Sequence, residues 1–340
     1  MIMDFFSHAL LPFLLGSYLG LDKRLLAALV LGGIAPDLDV FFSWINNVYP
    51  TSLLLVHRGI THTLFFGFFF ALMLLYLCTH EPVKGYLGRI IKFDLDFSAS
   101  SMAFVYAGVL IHLALDFTTT IGVPLFYPWQ SLRYSAEIFF QIEPIILIGT
   151  LLVLAVLMRD RSFVKFNKNL FILFVVFLLV VGGIRMEGKQ SAQSYFNETG
   201  AEVFPESGLF QWAVLEGEGE MYLVSQYDYL DGNVSGRTAF PRLFVASSLE
   251  EAEKAIAYAE ELPQVRLFRW RAYAVAINAT SENGSSWKIE YYDPLVKMQM
   301  ADSRSFFRPP SRSYGSIRVR VEDGVARVED WEEGEDLQAH

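Results

Sequence analysis

Apolar residues are so concentrated in the first 184 of the 340 positions that this stretch has to meet hydrocarbon rather than water. About 20 residues of apolar helix match a bilayer core. Six windows approach that length: Phe5–Leu21, Leu25–Ile45, Thr61–Thr79, Met102–Ile121, Ile138–Met158 and Phe166–Ile184. They predict a polytopic α-helical membrane bundle of about six spans over residues 1–188. Charge is divided just as unevenly. Residues 1–184 carry 11 Lys and Arg against 11 Asp and Glu, and residues 185–340 carry 16 against 26, so the whole formal charge of −10 belongs to the second part. That part reads as a small α+β extramembrane domain at 189–328, followed by an acidic, solvated tail at 329–340. Its acidity disfavours a nucleic-acid partner. The single cysteine, Cys78, lies in an apolar run, which excludes an intrachain disulfide framework and a cysteine zinc site. The first residues, MIMDFFSHALLPFLLG, have no basic n-region and read as retained rather than cleaved.

Lys and Arg near span ends mark the cytoplasmic side. Between the six windows, the odd loops hold nine such residues: Lys23, Arg24, Lys84, Arg89, Lys92, Arg159, Arg161, Lys165 and Lys168. The even loops hold only Arg58 and Arg133. This bias predicts a multi-pass protein of the cell membrane, plasma or inner, with the C-terminal domain extracytoplasmic; Arg185 and Lys189 run against it.

The polar residues inside the apolar part carry the chemistry. His8 opens the first window, and Asp37 and Asp39 fall late in the second, in GGIAPDLDVFF, where Gly32, Gly33 and Pro36 loosen a helix. His57, Arg58 and His62 open the third window, and His112 and Asp116 close the fourth. Taken along the six-span topology, four segments bring four histidines, three carboxylates and an arginine toward one membrane depth. Each ionisable group there costs about 3 kcal/mol on insertion scales, and is tolerated when it pairs, binds an ion or lines a wet cavity.

His112 and Asp116, four apart, share a helix face and can chelate one ion. Asp37 and Asp39 are two apart, and at least one should face the cluster. Nitrogen and carboxylate donors without a thiolate suit zinc first, then manganese or iron. With neutral histidines, three aspartates against Arg58 leave two negative charges in a low-dielectric place, which a divalent cation would balance. Candidate ligands are His8, Asp37, Asp39, His57, His62, His112 and Asp116, more than one catalytic zinc needs, which leaves room for a second ion. Candidate catalytic residues are Arg58, to hold developing charge, and His57 or Asp39, to move protons. The plainer readings are a closed polar network for the cluster and an arginine that snorkels to headgroups for Arg58.

Four pieces in this order, SHALLPFLLG, GGIAPDLD, HRGITHT and HLALDFTTTIGVPLFYPW, resemble the membrane-bound, metal-dependent hydrolases also described as LexA-binding and inner-membrane-associated. The resemblance covers roughly residues 5–130. It implies a multispanning, metal-dependent hydrolase in which His8, Asp37, Asp39, His57, Arg58, His62, His112 and Asp116 form the site. No residue pattern in the chain speaks for a LexA interaction.

In the second part, FQWAVLEGEGEMYLVSQYDYL reads as two strands joined around Gly217 and Gly219. SSLEEAEKAIAYAEELP reads as a helix with Ser248 as N-cap, Glu251 completing a capping box and Pro263 stopping it. Asp323 and Gly324 mark a hairpin turn, and Asp293 a turn before Pro294. Sequons at Asn197, Asn233, Asn278 and Asn283 agree with an extracytoplasmic place. The expected function is a membrane-bound, metal-dependent hydrolase acting at the membrane face on a lipid-anchored phosphate or ester, with the bilayer and a lipid-linked substrate as partners. The alternatives are a metal or ion transporter, or a non-enzymatic scaffold whose outer domain binds a partner.

Overall fold

Where the apolar windows meet proline, glycine or a capping hydroxyl, the helices stop short. The computed structural model describes residues 2–42, 45, 57–87, 95–159, 167–282, 286–301 and 315–332. Contacts divide the chain into two units, Met1–Gly183 and Ile184–His340. Asn283 and residues 333–340 of the acidic tail, His340 among them, lie outside the described residues.

The first unit opens with helix α1, Ile2–Tyr18, and helix α2, Lys23–Ile34, whose N-cap Asp22 accepts a hydrogen bond from the Leu25 N–H. Pro36 has no N–H to give the α2 ladder. The chain tightens there into a 3₁₀ turn, Pro36–Phe42, bent by 56° from α2. A second 3₁₀ turn, Ile60–His62, ends at Thr63, whose hydroxyl accepts from the Phe66 N–H and starts α3, Leu64–Thr79. Then come α4, Glu81–Leu87; α5, Ala99–Phe117, capped by Ser98; α6, Pro144–Arg159; and α7, Asn167–Tyr195.

These boundaries overturn the six-span bundle. Among the described residues two helices are long and apolar enough to cross a membrane, Ala99–Phe117 and Asn169–Tyr195, with α2 and its bent 3₁₀ continuation a third only if the pair is taken as one span. The α3 and α6 helices have 16 residues each. At 1.5 Å per residue they reach about 24 Å, short of a hydrocarbon core of about 30 Å. Two windows lost length to non-helical backbone that hydropathy cannot see. In the third, the 3₁₀ turn and the Thr63 cap take the first residues. In the fifth, the Ile138 and Phe139 N–H groups donate to the Thr118 carbonyl, and helix begins only at Pro144.

The α2 and α5 helices pack backbone to backbone. A Cβ on Gly32 would lie 1.9 Å from the Val105 carbonyl oxygen, and one on Gly108 would lie 2.2 Å from that of Leu29. Only glycine permits this approach. It brings the end of α2, with the acidic 3₁₀ turn behind it, against the half of α5 that carries His112 and Asp116.

The second unit is rich in sheet rather than a small α+β domain. Strands β1, Glu202–Pro205; β2, Gln211–Glu218; β3, Met221–Asp228; and β4, Asn233–Pro241, form an antiparallel sheet in chain order. After β5, Leu243–Val245, come α8, Leu249–Glu260, and α9, Pro263–Arg271. Next are β6, Ala276–Ser281; β7, Ser286–Tyr292; α10, Pro294–Ala301; β8, Ser316–Glu322; and β9, Val325–Glu332. The second sheet runs β5-β6-β7-β8-β9, parallel only between β5 and β6. Its core joins Ala252, Ala255 and Phe268 of the two helices to Trp287, Ile289, Ile317 and Val319. Asp323 and Gly324, with φ of 49° and 76°, make the β8–β9 turn. Ser248 stands at the N-cap of α8 without a side-chain cap bond, so the capping box is not formed, and Pro263 begins α9. Asp293 is fully buried and accepts from the Tyr273 and Leu295 N–H groups, a structural role.

Candidate metal centre

The site is assembled from α1, the turn after α2, the turn before α3 and the end of α5, all in the first unit. Its innermost part is set by backbone. His112 donates its Nδ1 proton to the Gly33 carbonyl at 2.7 Å. A carbonyl can only accept, so a neutral His112 carries its lone pair on Nε2. His62 is fixed through a longer chain. The Thr61 hydroxyl gives its one proton to Asp39 Oδ2 at 2.8 Å, and therefore accepts from His62 Nδ1 at 3.0 Å. A neutral His62 is again left with its lone pair on Nε2.

Those two Nε2 atoms stand 3.2 Å apart. Asp37 Oδ1 is 3.3 Å from the His62 nitrogen and 3.5 Å from that of His112, and Asp116 Oδ2 is 3.4 Å from both. Asp116 Oδ2 is buried without a hydrogen-bond partner. Four electron-pair donors from three segments thus converge with no proton assigned among them, and one ligand atom from each of Asp37, His62, His112 and Asp116 lies within 4.8 Å of the others. His62, His112 and Asp116 are fully buried. The donor set fits a divalent ion of the zinc, manganese or iron kind.

A second layer surrounds this set. His57 Nδ1 donates to Asp39 Oδ1 at 2.9 Å, and the other Asp39 oxygen takes the Thr61 hydroxyl and the Arg58 backbone N–H, the latter at 3.3 Å. Asp39, His57 and His62 form a second grouping with metal-ligand spacing. His57 is the most accessible of the four site histidines, at 23% against 1% or less for His8, His62 and His112. His8 stacks on the His112 ring at 3.9 Å and places Nε2 3.4 Å from Asp116 Oδ1.

Arg58 is buried, 2% exposed, and turned inward. Its Nη2 meets Asp116 Oδ1 at 2.7 Å and its Nη1 donates to the Thr119 hydroxyl at 2.7 Å. Its φ of 60° holds the backbone in the left-handed region, a strained conformation for arginine. That turn is what directs the Arg58 N–H at Asp39 while its side chain reaches Asp116.

All eight residues singled out in the sequence come together. Three partners did not stand out there. The Gly33 carbonyl has no sequence signature beyond its glycine. Thr119 is one of three consecutive threonines with the same apparent chemistry. Arg133, which reads as a loop charge, donates to the Ile121 and Gly122 carbonyls and ties down the segment after α5.

The family described as YdjM inner membrane protein matches residues 3–188, more than half of the chain and the whole of this site. No curated protein and no solved structure matches the chain.

Proposed function

The chain belongs to the YdjM inner membrane protein family, and we propose that it is a membrane-bound, metal-dependent hydrolase acting on a phosphate or ester carried by a lipid. One observation carries the reading: hydrogen bonds to Gly33 and Thr61 set both histidine tautomers so that two nitrogen lone pairs face two carboxylate oxygens. Four such atoms repel one another unless a proton or a cation lies among them. His62, His112, Asp37 and Asp116 are the residues that would hold the ion, with His8 beside Asp116 as a further candidate and Asp39 and His57 near enough for a second ion. A divalent ion supplies a more acidic bound water and a polarised scissile group.

The chain's own residues supply the rest. With its Nδ1 proton held by Asp39, the half-buried His57 has Nε2 left to take a proton from an attacking water and return it to the leaving oxygen. Asp39, with both oxygens occupied, fixes that tautomer and steadies the imidazolium that forms. Arg58 spends its charge on Asp116 and holds that carboxylate in place; acting as a clamp on substrate would require releasing it. Exposed Phe41 and Phe42, on the same turn as Asp37 and Asp39, and Phe65, just after Thr63, offer an apolar surface for an acyl chain beside the polar centre.

Elemental analysis of detergent-purified protein tests the reading, wild type beside a His62→Ala, His112→Ala double variant after dialysis against a weak chelator. Near-stoichiometric zinc, manganese or iron in the wild type and its loss in the variant is the expected result, followed by turnover of a lipid phosphate or ester. If both proteins are metal-free and the wild type takes up none of the three ions when supplied, the cluster is a polar lock between helices and the hydrolase reading fails.

A further inference from the structure

In the second unit, the face of the first sheet under the end of α7 should be wholly apolar. Trp212 and Val214 alternate along β2 on this face, and they pack with Ala192, Phe196 and Tyr227 into one core cluster. The next position in that alternation is Glu216, 4% exposed, and opposite Val214 on β3 lies Ser225, fully buried. Neither is satisfied: Glu216 Oε2 and Ser225 Oγ have no hydrogen-bond partner. Both line a cavity of about 330 Å³, together with Tyr195, Phe196, Val234 and Arg237.

Arg237 does not resolve the buried carboxylate. Its Nη2 is 3.7 Å from Glu216 Oε2, beyond hydrogen-bond reach, and its side chain is 60% exposed. A β-bulge sets that position. Val224 pairs with Thr238 and Gln226 with Ser235, so Gly236 and Arg237 together face Ser225, with Gly236 at a φ of 67°. The bulge opens the strand beside the unsatisfied hydroxyl instead of closing over it.

We propose that this cavity binds the primary ammonium group of a small organic molecule. A buried carboxylate oxygen without a hydrogen-bond donor calls for a cation that can hydrogen-bond. An ammonium offers three N–H donors, enough for Glu216 Oε2 and Ser225 Oγ with one to spare. Phe196 and Tyr195, aromatic residues of the kind that attract a cation, are part of the same lining. Glu198, also on the lining, leaves two carboxylates against one guanidinium, a negative balance that favours the same guest. A calcium-type ion fits less well, since it takes six or more oxygens and the buried lining offers one carboxylate and one hydroxyl. The site is independent of the metal centre, which lies in the other unit.

The test uses full-length protein in detergent with ethanolamine as probe, read by calorimetry and ligand-observed NMR. The expected result is saturable binding that weakens about tenfold or more in Glu216→Gln, the scale of a lost charge-assisted hydrogen bond. Tetramethylammonium, which keeps the charge without N–H donors, should bind more weakly than ethanolamine. Ser225→Ala, which keeps the charge of the site, should weaken binding by about threefold, and stands in if Glu216→Gln fails to give a normal thermal melt. Absence of saturation, unchanged affinity in a folded Glu216→Gln or in Ser225→Ala, tighter binding of tetramethylammonium, or displacement of ethanolamine by a tighter-binding calcium ion would each overturn the proposal.

Discussion

Asp37 and Asp39 sit two positions apart on one 3₁₀ turn and face different partners. Asp37 turns Oδ1 to the two histidine Nε2 atoms, whereas both oxygens of Asp39 are taken by His57, Thr61 and the Arg58 backbone. The substitutions should therefore separate. Asp37→Asn should abolish tight metal binding. Asp39→Asn should lower metal affinity by no more than about 10–100-fold, the usual cost of an outer partner, and lower turnover by about 10²–10⁴-fold by misorienting the base. Competition with a chromogenic chelator beside a turnover assay measures both, and equal loss of metal in the two variants would show that Asp39 is itself a ligand. The residue types of the site were legible in the sequence because histidine and aspartate are rare and costly in hydrocarbon. The division of labour between the two aspartates was not, because it depends on how tightly the turn winds after Pro36. Nor was the inward turn of Arg58, which follows from a left-handed backbone that no pattern of side chains announces.

Helix α5 meets α2 at a distance that admits no side chain at Gly108, and this contact fixes the distance from His112 to the Gly33 carbonyl. Gly108→Ala should force the helices apart, at a cost of at least the roughly 1–3 kcal/mol typical of overpacking, because the obstructing atoms are backbone. The midpoint of thermal unfolding in detergent should fall, and metal affinity with it. Gly183→Ala is the control: nothing lies within 4 Å of the added carbon, and alanine is the better helix former by up to about 1 kcal/mol, so its midpoint should hold or rise. A Gly108→Ala protein that melts and binds metal like the wild type would mean that the helix contact does not set the site. Element types in the second unit followed from alternation and turn residues, as the β2–β3 and β8–β9 hairpins show. In the first unit apolar composition could not separate helix from the tight turns that interrupt it, since both are equally greasy here.

For the molecule as a whole, losing the six-span bundle removes the loop-by-loop charge alternation, but one span carries an orientation signal by itself. Arg159, Arg161, Lys165 and Lys168 all precede the Asn169–Tyr195 helix closely, and no Lys or Arg occurs in the 20 residues from 196 to 215. Of the two charges that oppose this bias, Arg185 and Lys189, the first is fully buried and donates to the Glu206, Gly208 and Leu209 carbonyls against the Trp212 ring. A guanidinium so committed is part of the second unit's interior rather than a membrane-flanking charge. If this candidate span crosses the bilayer, the positive-inside rule predicts its start in the cytoplasm and residues 196 onward on the far side. A cysteine introduced at Asn233, at the exposed start of β4, in a Cys78→Ser background should react with a membrane-impermeant maleimide in intact spheroplasts, as strongly as it does after detergent lysis. Labelling seen only after lysis would place the sheet-rich unit in the cytoplasm. In that case the four basic residues would lie on the outer side, and the orientation would have to be set by the earlier apolar segments.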